Sequence, residues 1–152
     1  MNFTLLSPSQ RLVDWKELRE SLKDKADSTV LNEIIKYWSK APIILYSIDI
    51  DKPSEWPTPW ELIYEGNFDS TSISFLMEQT LILSGWDPDR IRLSCLREKE
   101  SNYKHMILVV DNQYVLNYSF GEIYPLDKLK EEILFSLLWN GETHIKEQNV
   151  KF

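Results

Sequence analysis

Residue types that usually carry chemistry are scarce in this chain. Of its 152 residues, one is cysteine, Cys95, and two are histidine, His105 and His144. A single cysteine excludes an internal disulfide and a cysteine-rich zinc site, and it favours reducing surroundings. Two separate histidines do not make a metal site, and four glycines leave no phosphate-binding glycine loop. We therefore predict no metal and no cofactor.

An excess of positive charge is also lacking. The formal net charge is −7, which argues against nucleic acid and an anionic membrane surface as partners. The carboxylates are scattered among the lysines and arginines, which argues against an acidic mimic of DNA. No apolar run approaches the roughly 20 residues of a membrane span, and residues 1–10 lack a signal-peptide pattern. We predict no membrane association and no secretion by a signal peptide.

Apolar and aromatic residues, in contrast, are plentiful. Hydrophobic residues make up 43% of the chain and aromatics 12%, with six tryptophans. That content is enough for one domain with a substantial core. We expect this single domain to span residues 1–141, followed by a polar tail over residues 142–152.

Hydrophobic periodicity predicts four helices. The first two span about Leu12–Ala26 and Ser28–Ser39, and a short one starts at Pro59, capped by Thr58. The fourth, about Ser70–Ser84, is apolar on nearly every side, which is typical of a helix buried inside its domain.

Strand patterns dominate the second half. Short apolar or alternating runs predict strands near these segments: Ile43–Ile48, Ile91–Leu96, Met106–Val110, Tyr114–Tyr118 and Glu122–Tyr124. A final helix is expected over Leu126–Trp139. Helices that precede a separate set of strands indicate an α+β fold, with N-terminal helices and one buried helix packed on a small antiparallel sheet.

Four segments, taken in order, resemble a known family. They are Trp56–Ile63, Gly66–Asp69, Lys104–Val110 and Tyr114–Tyr118. Their order and spacing are similar to those of transglutaminase-like proteins, which have a papain-type fold, from tailed bacteriophages and bacteria. The resemblance covers roughly Trp56 to Asn117 and implies the same fold here.

The family's chemistry uses a cysteine at the start of a buried helix, a histidine and an Asp or Asn. The resemblance places His105 and Asn117 in the last two roles. At the position of the cysteine it places Phe68 or Asp69, and neither can attack as a thiolate. Cys95 falls in a later strand, where we expect a buried, slowly reacting thiol. We therefore expect no catalytic residue, only a vestige of the site.

Two serines near the start of the buried helix are fallback nucleophiles. Ser70 or Ser72 could act as the nucleophile with His105 as its general base, as in enzymes that use a hydroxyl nucleophile. Serine is also a preferred residue at helix N-termini, which explains both without chemistry and is the interpretation we favour. His105 and Asn117 likewise have an ordinary structural interpretation, at a strand edge and beside a turn.

The proline-rich segment holds two tryptophans with two interpretations. Trp56 and Trp60 either anchor the segment to the domain or line a protein-binding groove beside the vestigial site. Anchoring is favoured, and both residues are kept as candidate protein-binding residues.

The leading functional hypothesis is a non-catalytic transglutaminase-like protein that acts through protein–protein contacts. Its similarity to small phage proteins implies a virion structural or assembly component, in a tail, baseplate or neck, located in the host cytoplasm during assembly and then in the virion. One alternative is a serine-dependent hydrolase or acyltransferase that uses His105. The other is a phage regulator that binds a host protein.

Overall fold

The computed structural model describes residues 5–43, 48–118 and 121–147, which form four α-helices and six strands. The helices are α1 Pro8–Ser21, α2 Asp27–Trp38, α3 Pro59–Glu65 and α4 Ser70–Leu83. The strands are β1 Ile91–Arg97, β2 Lys104–Val110, β3 Tyr114–Asn117, β4 Glu122–Pro125, β5 Glu132–Trp139 and β6 His144–Glu147. Short 3-10 helices lie at Pro53–Glu55, Pro88–Arg90 and Leu126–Lys128.

Local sequence signals explain where the helices begin. α3 starts at Pro59, and the Thr58 hydroxyl accepts a hydrogen bond from Glu61 N, as expected for a capping box. It ends at Gly66, whose φ of 73° lies in the left-handed region that glycine adopts without strain. α1 begins at Pro8, four residues before the expected Leu12, with Ser7 as its cap.

Helix α4 lies at the centre of the domain, as its all-round apolar pattern predicts. Every residue from Thr71 to Leu81 is buried. Its polar side chains fasten neighbouring elements: the Thr80 hydroxyl accepts hydrogen bonds from the indole nitrogens of Trp15 and Trp38, at 2.9 and 3.3 Å. α4 is thus the axis around which the other helices and the sheet pack.

All strand pairs of the sheet are antiparallel, in the order β4-β3-β2-β1-β5-β6. β2 and β3 form the predicted hairpin, with Asp111 and Asn112 at positive φ in its turn. Alternation along β2 sends Met106, Leu108 and Val110 into the core shared with the helices.

The opposite face of the sheet is covered by a crossing segment. β4 lies at one edge while β5 lies beyond β1, so residues 126–131 must cross the sheet between them. Leu126 and Leu129 from this segment pack on a second, smaller core formed by Leu96, Ile107, Val109 and Val115. Both faces of the sheet are therefore buried near its centre.

The prediction of a helix over Leu126–Trp139 is wrong. Its first three residues form a 3-10 helix, and Glu132–Trp139 form β5, paired with β1 and β6. Strands buried on both faces read as continuous apolar runs, so periodicity does not separate them from buried helices.

The segment from residue 142 onward was expected to be a tail, yet it contributes β6 at His144–Glu147, paired with the second half of β5. The domain bounds themselves stay a prediction. The strand expected over Ile43–Ile48 lies largely outside the described residues, although Ile43 forms an isolated parallel bridge with Phe68. Within the described part of the chain, the helices are too short or too polar to cross a bilayer.

Candidate functional site

The N-terminus of α4 is closed by a set of reciprocal hydrogen bonds. Asp69 Oδ1 accepts from Ser72 N at 2.7 Å, and Ser72 Oγ accepts from Asp69 N at 2.8 Å. Asp69 Oδ2 accepts from Ile48 N at 2.9 Å. The carboxylate thus caps the helix, where the positive end of the helix dipole also stabilises it.

Phe68, the residue before this cap, is completely buried. Its ring meets Trp38 edge-on, with the centroids 6.0 Å apart. The position that the resemblance assigns to a nucleophile is therefore occupied by a packed aromatic ring and a capping carboxylate.

The fallback serines lie in the first turn of α4. The Ser72 hydroxyl is fully buried and donates to Asp69 O at 3.1 Å, besides accepting from Asp69 N. Both roles belong to the cap, which agrees with the favoured interpretation. Ser70 is the first helical residue and is partly buried. In the described ranges, no hydrogen bond links either serine to a histidine.

His105 lies on the sheet face away from α4. It is paired with Leu96, and strand alternation places it with Ile107 rather than with the core-facing Met106. Its ring stacks on Tyr103, with centroids 6.1 Å apart. Burial lowers the pKa of His105, which the carboxylates of Glu98 and Glu131 partly offset. Among the described residues, its Nδ1 is buried without a partner.

Asn117 ends β3 and is buried on that same outer face, since it alternates with the core-facing Leu116. It is hydrogen-bonded to the hydroxyl of Tyr124, whose pKa is raised chiefly by burial. Asn117 and His105 therefore lie on neighbouring strands of one face, as expected of a hairpin. Strand alternation turns His105 to the sheet face opposite the core that contains Phe68, and the grouping of all four residues stays a prediction.

Cys95 is fully buried in β1, as predicted. Burial raises the pKa of its thiol to about 11. Since the thiolate is the reactive form, this residue is poorly suited to nucleophilic chemistry near neutral pH. Slow labelling by thiol reagents stays a prediction.

A buried polar pair lies further along α4. Glu78 is completely buried, and its Oε1 lies 2.7 Å from Nε2 of His144 on β6, whose side chain is 2% exposed. Gln79 Nε2 donates to the same Oε1 at 3.1 Å. The other carboxylate oxygen, Oε2, is buried with no hydrogen-bond partner in the described structure. A buried carboxyl oxygen without a hydrogen-bond partner lowers the stability of the folded state, so such positions are rare in proteins.

Aromatic rings surround His144. The centroids of Trp56, Phe75 and Trp139 lie 5.3, 5.5 and 5.0 Å from that of the imidazole. The indole nitrogen of Trp56 donates to Asp49 O at 2.6 Å. Trp56 is therefore an anchor of the proline-rich segment, in line with the favoured interpretation.

Outside this cluster an open groove of about 530 Å³ runs along the surface, and we call it the tryptophan groove. Trp56, Trp60, Trp139 and His144 line it, together with prolines of the proline-rich segment. Trp60 meets Trp15 edge-on at 5.6 Å but keeps 45% of its surface exposed. That exposure leaves one face of a large aromatic ring available to a partner.

With the geometry established, comparison with known proteins identifies the fold. The chain matches no protein-family model and no curated protein. Two solved structures of Legionella pneumophila LapG are similar to it. One has a TM-score of 0.72 at 21% identity and covers 87% of this chain and 77% of LapG. The calcium-bound form has a TM-score of 0.74 at 20% identity and covers 95% and 85%.

The chain has the transglutaminase-like, papain-like fold. At this level of identity the likeness establishes the arrangement of helices and sheet, which confirms the predicted α+β class. Across the described residues, no cluster of three or more His, Cys, Asp or Glu side chains is placed to hold a metal ion.

Sequence reasoning missed the Glu78–His144 pair. His144 was assigned to the tail, and Glu78 was not singled out. A usable signal was present, because a charged residue in the middle of a helix that is apolar on all sides requires a buried partner. The partner itself, 66 residues away, could not be read from the sequence.

Proposed function

We propose that this chain is a non-catalytic protein of the transglutaminase-like fold that acts through protein–protein contacts. The observation that carries the proposal is the start of α4. The fully buried Phe68 and the capping Asp69 stand where the family resemblance puts the nucleophilic cysteine.

No other described group replaces the missing thiol. Cys95 is buried in β1 with a raised pKa, and the hydroxyl of Ser72 is committed to the helix cap. His105, the expected base, stacks on Tyr103 at the outer face of the sheet. A nucleophile and a base within hydrogen-bonding reach define this class of chemistry, and among the described residues the hydrogen bonds of Ser72 and Cys95 lead to backbone groups and Asp69 rather than to a histidine, which supports the proposal.

The contact surface in this proposal is the tryptophan groove. An exposed tryptophan beside a concave surface has the properties of a binding hot spot, because it offers a large rigid contact area. Trp60 is such a residue, whereas Trp56 is held by its neighbours and shapes the groove wall.

Two measurements on the folded full chain test the proposal. The first is labelling with a fluorophosphonate probe and with a thiol reagent, and we expect neither to modify the native protein rapidly. Labelling at Ser70 or Ser72 that disappears in His105→Ala would overturn the proposal and favour the serine-dependent enzyme.

The second measurement locates the contact surface. A photo-crosslinking amino acid at position 60 should capture a specific protein from cells that express the chain. The same group at the exposed position Glu100, in the β1–β2 turn, is the matched control. Equal capture at both positions would show that the groove is not the contact surface.

A virion component of a tailed phage, in the tail, baseplate or neck, is the narrower form of this proposal, and it is supported by the resemblance to phage proteins. Mass spectrometry of purified particles should then find the chain in many copies per particle. Its presence in infected cells and absence from particles would favour the regulator that binds a host protein.

A further inference from the structure

The tryptophan groove has a one-sided distribution of charge. Among the described residues that line it, the only carboxylate belongs to Glu142, and there is no lysine or arginine. Positions adjacent in sequence to lining residues add more acids than bases. The acids are Glu55, Glu61, Asp87 and Asp89, and the base is Lys52; Glu78 is also adjacent, but it is buried and paired with His144.

Aromatic faces add a second attraction of the same sign. The faces of tryptophan rings carry negative electrostatic potential and bind lysine ammonium or arginine guanidinium groups. The chain already uses this interaction elsewhere: the guanidinium of Arg90 lies 4.1 Å from the ring centroid of Trp86, and Lys146 lies 4.1 Å from that of Phe135. Next to the groove, the guanidinium of Arg19 lies 4.1 Å from the ring centroid of Trp15, which contacts Trp60. Trp60 itself, with 45% of its surface exposed, carries no such cation in the described structure.

From this combination we propose that the tryptophan groove binds a lysine or arginine side chain presented by an extended segment of a partner protein. The aliphatic stem packs between the tryptophans and prolines, and the cationic head lies over Trp60 and near Glu142. The net charge of −7 attracts such a segment at long range. This inference rests on the proposed function and specifies the chemistry of the partner.

Random-peptide display on the folded full chain, followed by counter-selection against Trp60→Ala, tests the proposal. The enriched sequences should contain lysine or arginine next to apolar residues. For the best peptide, replacing that residue with norleucine keeps the stem, removes the charge and should raise the Kd about tenfold.

Protein variants then place the contact. Trp60→Ala should raise the Kd of that peptide about fivefold or more, and Glu142→Gln about two- to threefold. The control Glu100→Gln removes one exposed carboxylate away from the groove and should leave the Kd unchanged. Circular dichroism and unfolding curves establish that each variant is folded.

The alternative outcomes overturn the inference and remain distinguishable from failure of the proposed function. Enrichment of acidic or uncharged peptides, peptides that bind Trp60→Ala equally well, or no enrichment at all would each refute a basic partner segment. The proposed function would still stand if position 60 cross-links a protein specifically. It would fail separately if serine or thiol probes label the native chain.

Discussion

The first and third turns of α4 differ in how completely their carboxyl groups are hydrogen-bonded. In the first turn both oxygens of Asp69 accept hydrogen bonds from backbone nitrogens, and Phe68 fills the adjacent space. In the third turn Glu78 is more deeply buried, yet one of its oxygens has no partner in the described structure. The carboxylate at the expected vestigial site is thus fully hydrogen-bonded, whereas the third turn of the same helix has a buried carboxyl oxygen without a partner in the described structure.

This difference teaches where chemistry remains available in the domain. A fully paired cap stabilises the fold and leaves no group free for a ligand. The buried carboxyl group of Glu78 is bonded by His144 at 2.7 Å and by Gln79 at 3.1 Å, and it depends most strongly on the closer partner, His144.

The largest expected effect comes from removing that partner. His144→Ala leaves Glu78 buried with only the hydrogen bond from Gln79 in the described structure, and it should lower the free energy of unfolding by about 3–5 kcal/mol. Urea unfolding monitored by tryptophan fluorescence measures this change. His144→Phe is the matched control, since it keeps an aromatic ring among Trp56, Phe75 and Trp139 but breaks the hydrogen bond. A His144→Phe protein as stable as the wild type would show that packing alone matters at this position.

Restoring a thiol in the first turn tests whether the site is closed to chemistry. Phe68→Cys should lower the free energy of unfolding by about 2–4 kcal/mol, because it leaves a cavity beside Trp38. The new thiol should still react slowly, since strand alternation places His105 on the sheet face opposite the core that contains position 68. Thiol labelling against the wild type, which contains only Cys95, measures the rate. Rapid labelling that depends on His105 would show that the catalytic arrangement persists.

The helix cap should have a smaller effect. Asp69→Ala removes the acceptor of hydrogen bonds from Ser72 N and Ile48 N and should lower the free energy of unfolding by about 1–2 kcal/mol. Asp69→Asn keeps an acceptor oxygen for the cap and should lose less. Thermal unfolding of the two variants compares them. Equal loss in both would mean that the negative charge, rather than the capping hydrogen bond, is what stabilises α4.

The smallest effect concerns pH and the outer face of the sheet. Burial lowers the pKa of His105 below its ordinary 6.5, so the unfolded chain takes up a proton at a higher pH than the folded protein. The stability that neutral His105 contributes is therefore present above that pH and is lost as the pH falls from 7.5 towards 5.5. Urea unfolding of wild type and His105→Gln at both pH values isolates this residue, because His144 is common to both. An unchanged difference between the two proteins would contradict the prediction.

The helices were predictable because their signals are local. Thr58 with Pro59, and Asp69 with Ser72, are cap patterns that act within three residues. The buried character of α4 also follows from its own composition. The hairpin turn at Asp111–Asn112 is equally local, since asparagine and aspartate tolerate the positive φ that both residues adopt there.

The last two strands were not predictable in the same way. Glu132–Trp139 is an apolar run whose leucines favour a helix in isolation, but β1 and β6 supply hydrogen bonds on both of its edges. The placement of β5 depends on the crossing segment and on the second core beneath it, which involve residues distant in sequence.

The sequence by itself determined the α+β class, the central helix and the absence of a cysteine where the resemblance requires one. Each of these depends on residue identity or on contacts within one or two turns of a helix. Only the tertiary structure decided that His105 occupies the sheet face opposite the core that contains Phe68 and that His144 reaches Glu78. Long-range strand pairing and burial set which sheet face a strand residue occupies and which strand lies at the edge of the sheet. The free energies of these contacts exist only once the chain has packed.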